Sequence, residues 1–201
     1  MTRLVLASAS PRRRALLAAL GLTFQVVHSD VVEILSGDPA GATITNARAK
    51  RDVAASRTSA PAVVLGADTL VVANDEILGK PKDLDEARRM LARLSGNTHR
   101  VVTGLSLIDT ESGLGAEGSE VTRVTFRTLA DHEIKRFVSV VKPLDRAGAY
   151  TVDGPGSLLV ERYEGCYLNV LGLPIVKLDN LLRTIGYSLF TLMNAERSRF
   201  L

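Results

Sequence analysis

The sequence predicts an α/β fold. Strand-like apolar runs alternate along the chain with segments of helical periodicity, an order typical of α/β domains. Of the 201 residues, 46% are hydrophobic and 23% are charged, which is ordinary for a globular domain and argues against disorder or a coiled coil. No internal repeat or low-complexity linker divides the chain. We therefore expect a single domain over residues 1–201.

The first half of the chain is predicted to alternate strands with helices. Ser10 is a good N-cap and Pro11 suits the first helical position, so the first helix should begin there. A loop rich in glycine and proline is expected over 31–41. Strands are expected at Leu4–Ala7, Thr23–His28, Ala62–Val72 and Glu76–Leu78, and helices at Pro11–Leu20, Thr43–Arg57 and Asp83–Leu94.

The second half begins with a predicted pair of long strands. An acidic, glycine-rich turn through Glu111–Glu117 should join them, and the chain should enter a second β region at Gly148–Tyr150. The final helix is amphipathic, since apolar residues recur on one face. Strands are expected at Arg100–Asp109, Val121–Leu129, Leu158–Arg162 and Tyr167–Val170, and helices at Asp131–Val138 and Pro174–Ile185.

Composition and charge exclude several classes of protein. The net charge is only +3, the charged residues alternate in sign, and aromatic residues make up 4% with no Trp, so a nucleic-acid partner is not expected. No apolar run is long enough for a membrane span or a signal peptide. The single cysteine excludes an intramolecular disulfide and fits a reducing compartment. We expect a soluble, cytoplasmic protein without a membrane partner.

The stretch Ser8-Ala9-Ser10-Pro11-Arg12-Arg13 is the most informative part of the chain. It joins a short strand to the start of a helix, where free N–H groups and the helix dipole favour an anion. Two adjacent arginines add guanidinium groups that match phosphate oxygens. This pattern favours a phosphate site, and the alternative is a capped surface helix with a basic first turn.

Asp68 lies within a strongly apolar strand. A buried carboxylate needs a partner, a metal or a position at the mouth of a cleft, where Gly66 would allow close approach. The alternative is a structural aspartate bonded to backbone N–H groups.

Three further residues are weaker candidates. Lys80 is held between Gly79 and Pro81, which restrict the backbone around one cation. Lys50 lies on the small-residue face of its helix, although a snorkelling lysine is the common alternative. Glu33 could supply a second oxygen to a hard cation, although exposed glutamates are common at such positions.

Several familiar active-site patterns are absent from the sequence. The three histidines lie in different predicted elements, without metal-ligand or triad spacing between them. The chain has no GxSxG elbow, no Walker Gly-Lys-Ser/Thr loop and no GxGxxG motif, which argues against P-loop hydrolysis and dinucleotide binding.

Taken together, these segments resemble the Maf family of nucleoside triphosphate pyrophosphatases over about residues 3–185. Besides Glu33, the matching motifs are Ser8-Ala9-Ser10-Pro11-Arg12-Arg13, Ala49-Lys50, Gly66-Ala67-Asp68-Thr69, Gly79-Lys80-Pro81, Ala147-Gly148-Ala149-Tyr150 and Asn169-Val170-Leu171-Gly172-Leu173-Pro174.

The resemblance implies a fold and a reaction. The fold would be a mixed, curved sheet flanked by helices, with two lobes around a central cleft as in inosine triphosphatases. Residues 1–129 would carry most of the phosphate- and metal-binding segments, and residues 130–201 would close the site. A homodimer would use Mg²⁺ or Mn²⁺ to cleave a nucleoside triphosphate into the monophosphate and pyrophosphate, a house-cleaning role in the nucleotide pool.

The resemblance also assigns roles to residues. Asp68 would be the proton acceptor that activates water, and it would hold the metal together with Glu33. The phosphates would be bound by residues from three segments, namely Ser8, Ser10, Arg13, Lys50 and Lys80. Cations from separate segments suit attack on a polyphosphate, because charge builds up on its oxygens.

The resemblance assigns base specificity to Arg12, Thr69 and Asp153. The first two match the dTTP/UTP branch of the family, which the chain resembles most, but Asp153 stands where that branch has glutamine. Ionised aspartate only accepts hydrogen bonds, whereas glutamine also donates. A 7-methyl-GTP-type specificity therefore remains open, as does a non-catalytic, nucleotide-binding role in cell division. Asp153 could also be an ordinary turn residue.

Overall fold

A mixed sheet of seven strands forms the centre of the protein. The computed structural model describes residues 3–194 and 196–198. The strands are β1 (Leu4–Ala7), β2 (Phe24–Val26), β3 (Val63–Ala73), β4 (Glu76–Leu78), β5 (Thr98–Asp109), β6 (Gly115–Phe126) and β7 (Val160–Glu164). The helices are α1 (Pro11–Ala19), α2 (Pro39–Ser56), α3 (Leu84–Leu94), α4 (Asp131–Val141), α5 (Tyr167–Val170), α6 (Ile175–Thr184) and α7 (Leu189–Leu192).

The strand order is β2-β1-β3-β5-β6-β7, with β4 paired to β3. β1 runs parallel to both β2 and β3, whereas the other pairs are antiparallel. This topology confirms the predicted mixed α/β fold. Because β7 pairs with β6, residues on both sides of position 130 contribute to one sheet. The division into two lobes stays a prediction.

The two faces of the sheet are covered differently. Residues alternate between faces along each strand. Leu6 and Leu65 belong to the main core, which includes apolar residues of α1, α3, α4 and α6. Val5 and Val64 point the other way and pack with Ala54 of α2. Asp68, four residues after Val64 on β3, therefore lies on the face covered by α2.

Two glycines allow α2 to lie directly on the sheet. A Cβ at Gly66 of β3 would lie 2.0 Å from the carbonyl oxygen of Ala47, and one at Gly104 of β5 would lie 2.4 Å from the carbonyl carbon of Thr43. Any side chain at either position would push the helix away. The close approach expected at Gly66 is thus made by this helix, and it brings α2 side chains over Asp68.

Several predicted elements differ from the structure. Helix α2 begins at Pro39 rather than Thr43, because Asp38 caps it by accepting a 2.7 Å hydrogen bond from the Gly41 N–H. Gly148 and Ala149 lie in a 3₁₀ turn (Ala147–Ala149), and Tyr150 follows it without entering a strand. Tyr167–Val170, predicted as a strand, is the helical turn α5. A short apolar run does not distinguish these two conformations.

The β5–β6 hairpin is longer than the sequence predicts. β6 begins at Gly115, inside the predicted acidic turn, and ends at Phe126 rather than at residue 129. Its first half pairs with β5, as in Gly115 with Ile108 and Gly118 with Leu105, although its residues are polar or small and only partly buried. Pairing with a long neighbouring strand outweighs poor strand propensity here.

Within the described residues, no helix has the length and apolarity required to cross a membrane.

Candidate active site

A cleft of about 870 Å³ contains nine of the ten predicted site residues. Its walls come from the β1–α1 junction, the segment between β2 and α2, the middle of β3, the loop after β4, and the chain around 145–152 and 170–172. The predicted residues that line it are Ser8, Ser10, Arg12, Arg13, Glu33, Lys50, Asp68, Thr69 and Lys80. Tertiary packing therefore brings together segments that are far apart in the sequence.

Asp68 is the most buried carboxylate of the cleft, with 4% of its surface exposed. Its Oδ1 accepts a 2.6 Å hydrogen bond from Lys50 Nζ, and its Oδ2 accepts one of 2.9 Å from Asn46 Nδ2. Lys50 also donates to Glu33 Oε1 at 2.6 Å. One ammonium group thus joins two carboxylates at the floor of the cleft. Lys50 is an ion-pair partner rather than a snorkelling lysine.

Arg13 is buried and almost fully hydrogen-bonded to the protein. Its Nε donates to the Gly172 carbonyl oxygen at 2.8 Å, and its Nη1 donates to Ser8 Oγ and to the Ala67 carbonyl oxygen at 2.9 and 3.0 Å. Its Nη2 donates to Thr69 Oγ1 at 2.9 Å. Burial lowers the pKa of Arg13, although the nearby Asp68 charge opposes this. Arg13 therefore joins α1, β3 and the chain after α5, and one Nη2 proton remains for a ligand.

Ser8 and Ser10 organise the start of α1. Ser8 Oγ accepts a 3.3 Å hydrogen bond from the Ser10 N–H, and Ser10 Oγ accepts one of 3.4 Å from the Arg13 N–H. Pro11 occupies the first helical position, as the sequence predicts. The first turn of α1 therefore faces the cleft with its N-terminus, which favours an anion.

Arg12 and Arg146 place two positive charges near each other on the cleft wall. Burial lowers the pKa of Arg12, and repulsion from Arg146 lowers it further. Arg12 Nε is buried and has no hydrogen-bond partner among the described residues. An anionic ligand would relieve both the repulsion and the unmet donor.

Asp153 does not line the cleft. It is exposed, and its carboxylate accepts a hydrogen bond from Thr151 Oγ1, which does line the cleft. Arg12 Nη1 donates to the same Thr151 oxygen at 3.4 Å. Asp153 precedes a 3₁₀ turn (Gly154–Leu158), but its side chain does not cap that turn. It is thus connected to the cleft through Thr151.

Lys80 is an exposed cation at the edge of the cleft. Its loop is fixed by a 3.1 Å hydrogen bond from the Gly148 N–H to the Gly79 carbonyl oxygen, and Pro81 beside it is buried. Among the residues that the structure describes, no carboxylate lies within ion-pair distance of Lys80, and the ion pairs of the cleft involve Lys50 and Arg146 instead. Lys80 is therefore available to bind an anion.

A buried aromatic cluster supports the wall at Tyr150. The Tyr150 hydroxyl lies 2.7 Å from His99 Nε2, and both rings pack edge-on against Phe126. Burial lowers the pKa of His99 to about 4 and raises that of Tyr150. His99 is thus a neutral core residue, consistent with the lack of metal-ligand spacing in the sequence.

The donor set fits a hard divalent cation that retains water and phosphate ligands. Nowhere in residues 3–194 and 196–198 do three or more His, Cys, Asp or Glu side chains cluster as a metal site. Glu33 and Asp68 nevertheless each place an oxygen 2.6 Å from the same Lys50 nitrogen, so both can reach one cation. Mg²⁺ is commonly held by one or two carboxylates together with substrate phosphates and water.

Comparison with known proteins now identifies the family. The sequence pattern described as "Maf-like protein" matches residues 3–185. The chain belongs to the Maf family. Two curated relatives, both named dTTP/UTP pyrophosphatase, come from Pelotomaculum thermopropionicum and Moorella thermoacetica. They are 43% and 48% identical to this Maf protein over 94% and 92% of its length, covering 99% and 96% of their own.

A more distant solved structure, that of the Staphylococcus aureus Ham1 protein, aligns with a TM-score of 0.44 at 14% identity. The alignment covers 65% of the Maf chain and 73% of the Ham1 chain.

Asn46 is the site residue that sequence reasoning missed. It is 2% exposed and contacts Asp68 directly, yet it matches none of the motifs that pointed to the site. One sequence signal existed, since Asn46 lies four residues before Lys50 and hence on the same face of α2. A polar residue among the small apolar residues of that face indicates a buried partner.

Proposed function

We propose that this protein is a nucleoside triphosphate pyrophosphatase that hydrolyses its substrate to the monophosphate and pyrophosphate. The observation that carries the proposal is a buried carboxylate, Asp68, at the floor of a cleft whose walls supply cations from separate segments. The two curated relatives named dTTP/UTP pyrophosphatase support the proposal, because their alignments cover nearly the whole chain.

In the proposed reaction, Asp68 accepts a proton from the water that attacks the α-phosphorus, and pyrophosphate leaves. Asp68 is a carboxylate held by Lys50 and Asn46, so its orientation towards the cleft is fixed. A positioned general base typically contributes about 10²–10⁴-fold to a rate.

We assign the metal to Glu33 and Asp68. When bound, Mg²⁺ or Mn²⁺ would lower the pKa of water and neutralise phosphate charge. Lys50 Nζ lies between these carboxylates and has to leave that position if a cation is bound by both oxygens. The ammonium would then be free to contact the triphosphate, which is the role expected of Lys50.

Phosphate binding is assigned to the α1 N-terminus and to Lys80. Ser8 and Ser10 shape that N-terminus and Arg13 holds it against β3, so the contribution of Arg13 is largely to orient the binding site. Lys80 lines the same cleft as a free charge from a separate segment. Positive charge from separate segments around a polyphosphate stabilises the charge that develops on its oxygens.

Base specificity is assigned to Arg12, Thr69 and Asp153, with dTTP and UTP as the first candidates. Thr69 Oγ1 lies 2.9 Å from Thr103 Oγ1 and accepts from Arg13, so its hydroxyl is held in place. Asp153 acts beside Arg12 through Thr151. Because Thr151 Oγ1 gives its proton to Asp153, it can only accept from a ligand, so the preferred base would present a donor to that oxygen.

Two further expectations follow from the family resemblance, a homodimer and a cytoplasmic location. Light scattering of the purified protein tests the dimer.

The decisive experiment measures pyrophosphate release from canonical and modified nucleoside triphosphates, with and without Mg²⁺ or Mn²⁺. Metal-dependent release from dTTP or UTP is expected. Preference for 7-methyl-GTP would assign the alternative specificity. If pyrophosphate is released from none of the triphosphates but nucleotides bind tightly, the protein is a nucleotide-binding regulator and not an enzyme.

A further inference from the structure

Asn46 connects Asp68 to the segment that carries Glu33. Its Nδ2 donates to Asp68 Oδ2 at 2.9 Å and to the Ile34 carbonyl oxygen at 3.0 Å, so both amide protons are used. Its Oδ1 accepts the Ile34 N–H at 2.8 Å. The carboxamide therefore has one orientation that satisfies every contact, because a flipped amide would place donor against donor.

The segment between β2 and α2 depends on this anchor. Among the hydrogen bonds of the described residues, the two between Asn46 and the Ile34 backbone are the only ones made by the backbone of residues 30–37. Apolar burial gives little support, because Val32 is 97% exposed, Ile34 42% and Leu35 50%. Glu33, next to Ile34, has its backbone held by this anchor and its carboxylate by the ion pair with Lys50.

We propose that Asn46 is a positioning residue that sets the spacing between Asp68 and Glu33. Lys50, one turn further along α2, bridges the same two carboxylates. Asn46 and Lys50 thus hold both groups from a single helix, and α2 is fixed to the sheet at Gly66 and Gly104. The consequence for the reaction rests on the proposed function, but the anchoring itself does not.

The test replaces the carboxamide in two ways. Asn46→Leu removes all three hydrogen bonds at similar volume. Asn46→Asp keeps an acceptor for the Ile34 N–H but sets a carboxylate against Asp68. Loss of hydrogen bonds that orient ligating groups typically costs about 10–100-fold in metal affinity or activity. We expect kcat to fall by about that factor in both variants, whereas KM for the nucleotide changes less than about threefold, since Lys80 and Arg12 are untouched.

Two readouts do not require turnover. Mn²⁺ binding, followed by water-proton relaxation, should weaken about tenfold or more in Asn46→Leu. Hydrogen exchange of residues 30–36 should speed up in Asn46→Leu and remain closer to the parent in Asn46→Asp. If Asn46→Leu does not fold, hydrogen exchange in Asn46→Asp decides. This variant loses the hydrogen bond to the Ile34 carbonyl oxygen, so residues 30–36 should exchange faster than in the parent, and exchange at the parental rate overturns the proposal.

Thr43→Val is the matched control. Thr43 is buried one turn earlier on α2, and its hydroxyl donates only to the Pro39 and Ala40 carbonyl oxygens. This variant should keep the kinetics and Mn²⁺ affinity of the parent. The proposal is overturned if Asn46→Leu matches the parent in both Mn²⁺ affinity and hydrogen exchange of residues 30–36. It is also overturned if Thr43→Val loses as much kcat and Mn²⁺ affinity as Asn46→Leu. A parent that releases no pyrophosphate refutes the proposed function alone, because the binding and exchange measurements still test Asn46.

Discussion

Asp68→Asn tests the proposed general base. The amide keeps the size of the carboxylate but loses its charge and its basicity. Turnover should fall at least about a hundredfold, equivalent to about 2.7 kcal/mol of activation free energy, while KM stays close to that of the parent. The assay is steady-state pyrophosphate release under saturating metal.

The same substitution has a predictable cost in stability. Asp68 accepts from Lys50 at 2.6 Å and from Asn46 at 2.9 Å, whereas an asparagine can accept at only one of these sites. A lost hydrogen bond to a charged group costs about 1.5–3 kcal/mol. Because Lys50 keeps Glu33 as a partner, the lower end is expected, or a Tm lowered by about 3–6 °C for a chain of this size.

Asp109→Asn is the control for loss of a buried carboxylate. Asp109 ends β5 and accepts hydrogen bonds from Ser112 and Tyr187 at 2.6 and 3.3 Å, outside the cleft. It should lower stability without lowering kcat. Near-parental turnover in a folded Asp68→Asn protein would refute the role of Asp68, as would an equal loss in Asp109→Asn.

The other predictions concern charge, base choice and pH. Lys80→Ala should raise KM or lower kcat and change the free energy of unfolding by less than about 1 kcal/mol. Arg13→Ala should also destabilise the protein by about 2–4 kcal/mol, because it leaves buried acceptors unpaired. Urea unfolding measures the stability of both variants. Asp153→Gln should shift relative kcat/KM towards dTTP and UTP by more than about tenfold, and an unchanged substrate ranking would leave Asp153 as a turn residue. The pKa of His99 is about 4 in the folded protein, below its unfolded value of about 6.5. Between these two pH values the unfolded chain binds more protons than the folded one. The contribution of His99 to stability is therefore complete above pH ~6.5 and is lost as the pH falls towards 4. Between pH 7.5 and pH 5.0, His99 should lower the free energy of unfolding of the parent by about 2 kcal/mol, and this contribution should be missing in His99→Gln.

Much of the candidate site could be predicted because its residues are in short local motifs. Ser10 and Pro11 start α1 through interactions within four residues, and Pro81 restricts the backbone of Lys80, the residue before it. These features act through the local backbone, so they are visible in the sequence. As a consequence, nine of the predicted residues line one cleft.

The errors are in segments whose conformation depends on distant partners. Tyr167–Val170 has the apolar character of a strand, yet it is a helical turn in which the Asn169 amide donates to Val101 and Thr122 of two strands. The first half of β6 has a turn-like composition and forms a strand because β5 pairs with it. Local propensity is weak compared with such long-range contacts.

The sequence by itself determined the family, the α/β alternation and the identity of the charged residues in the cleft. Only the tertiary structure decided what each of them touches. The sequence predicts that Arg13 binds phosphate, and packing of α1 against β3 adds a second set of partners by burying it among carbonyl oxygens. Asn46 carries no motif, and it becomes part of the site because Gly66 and Gly104 let α2 approach the sheet. Motifs encode residue type and local backbone, whereas hydrogen-bond partners across the fold are set by how helices and strands pack.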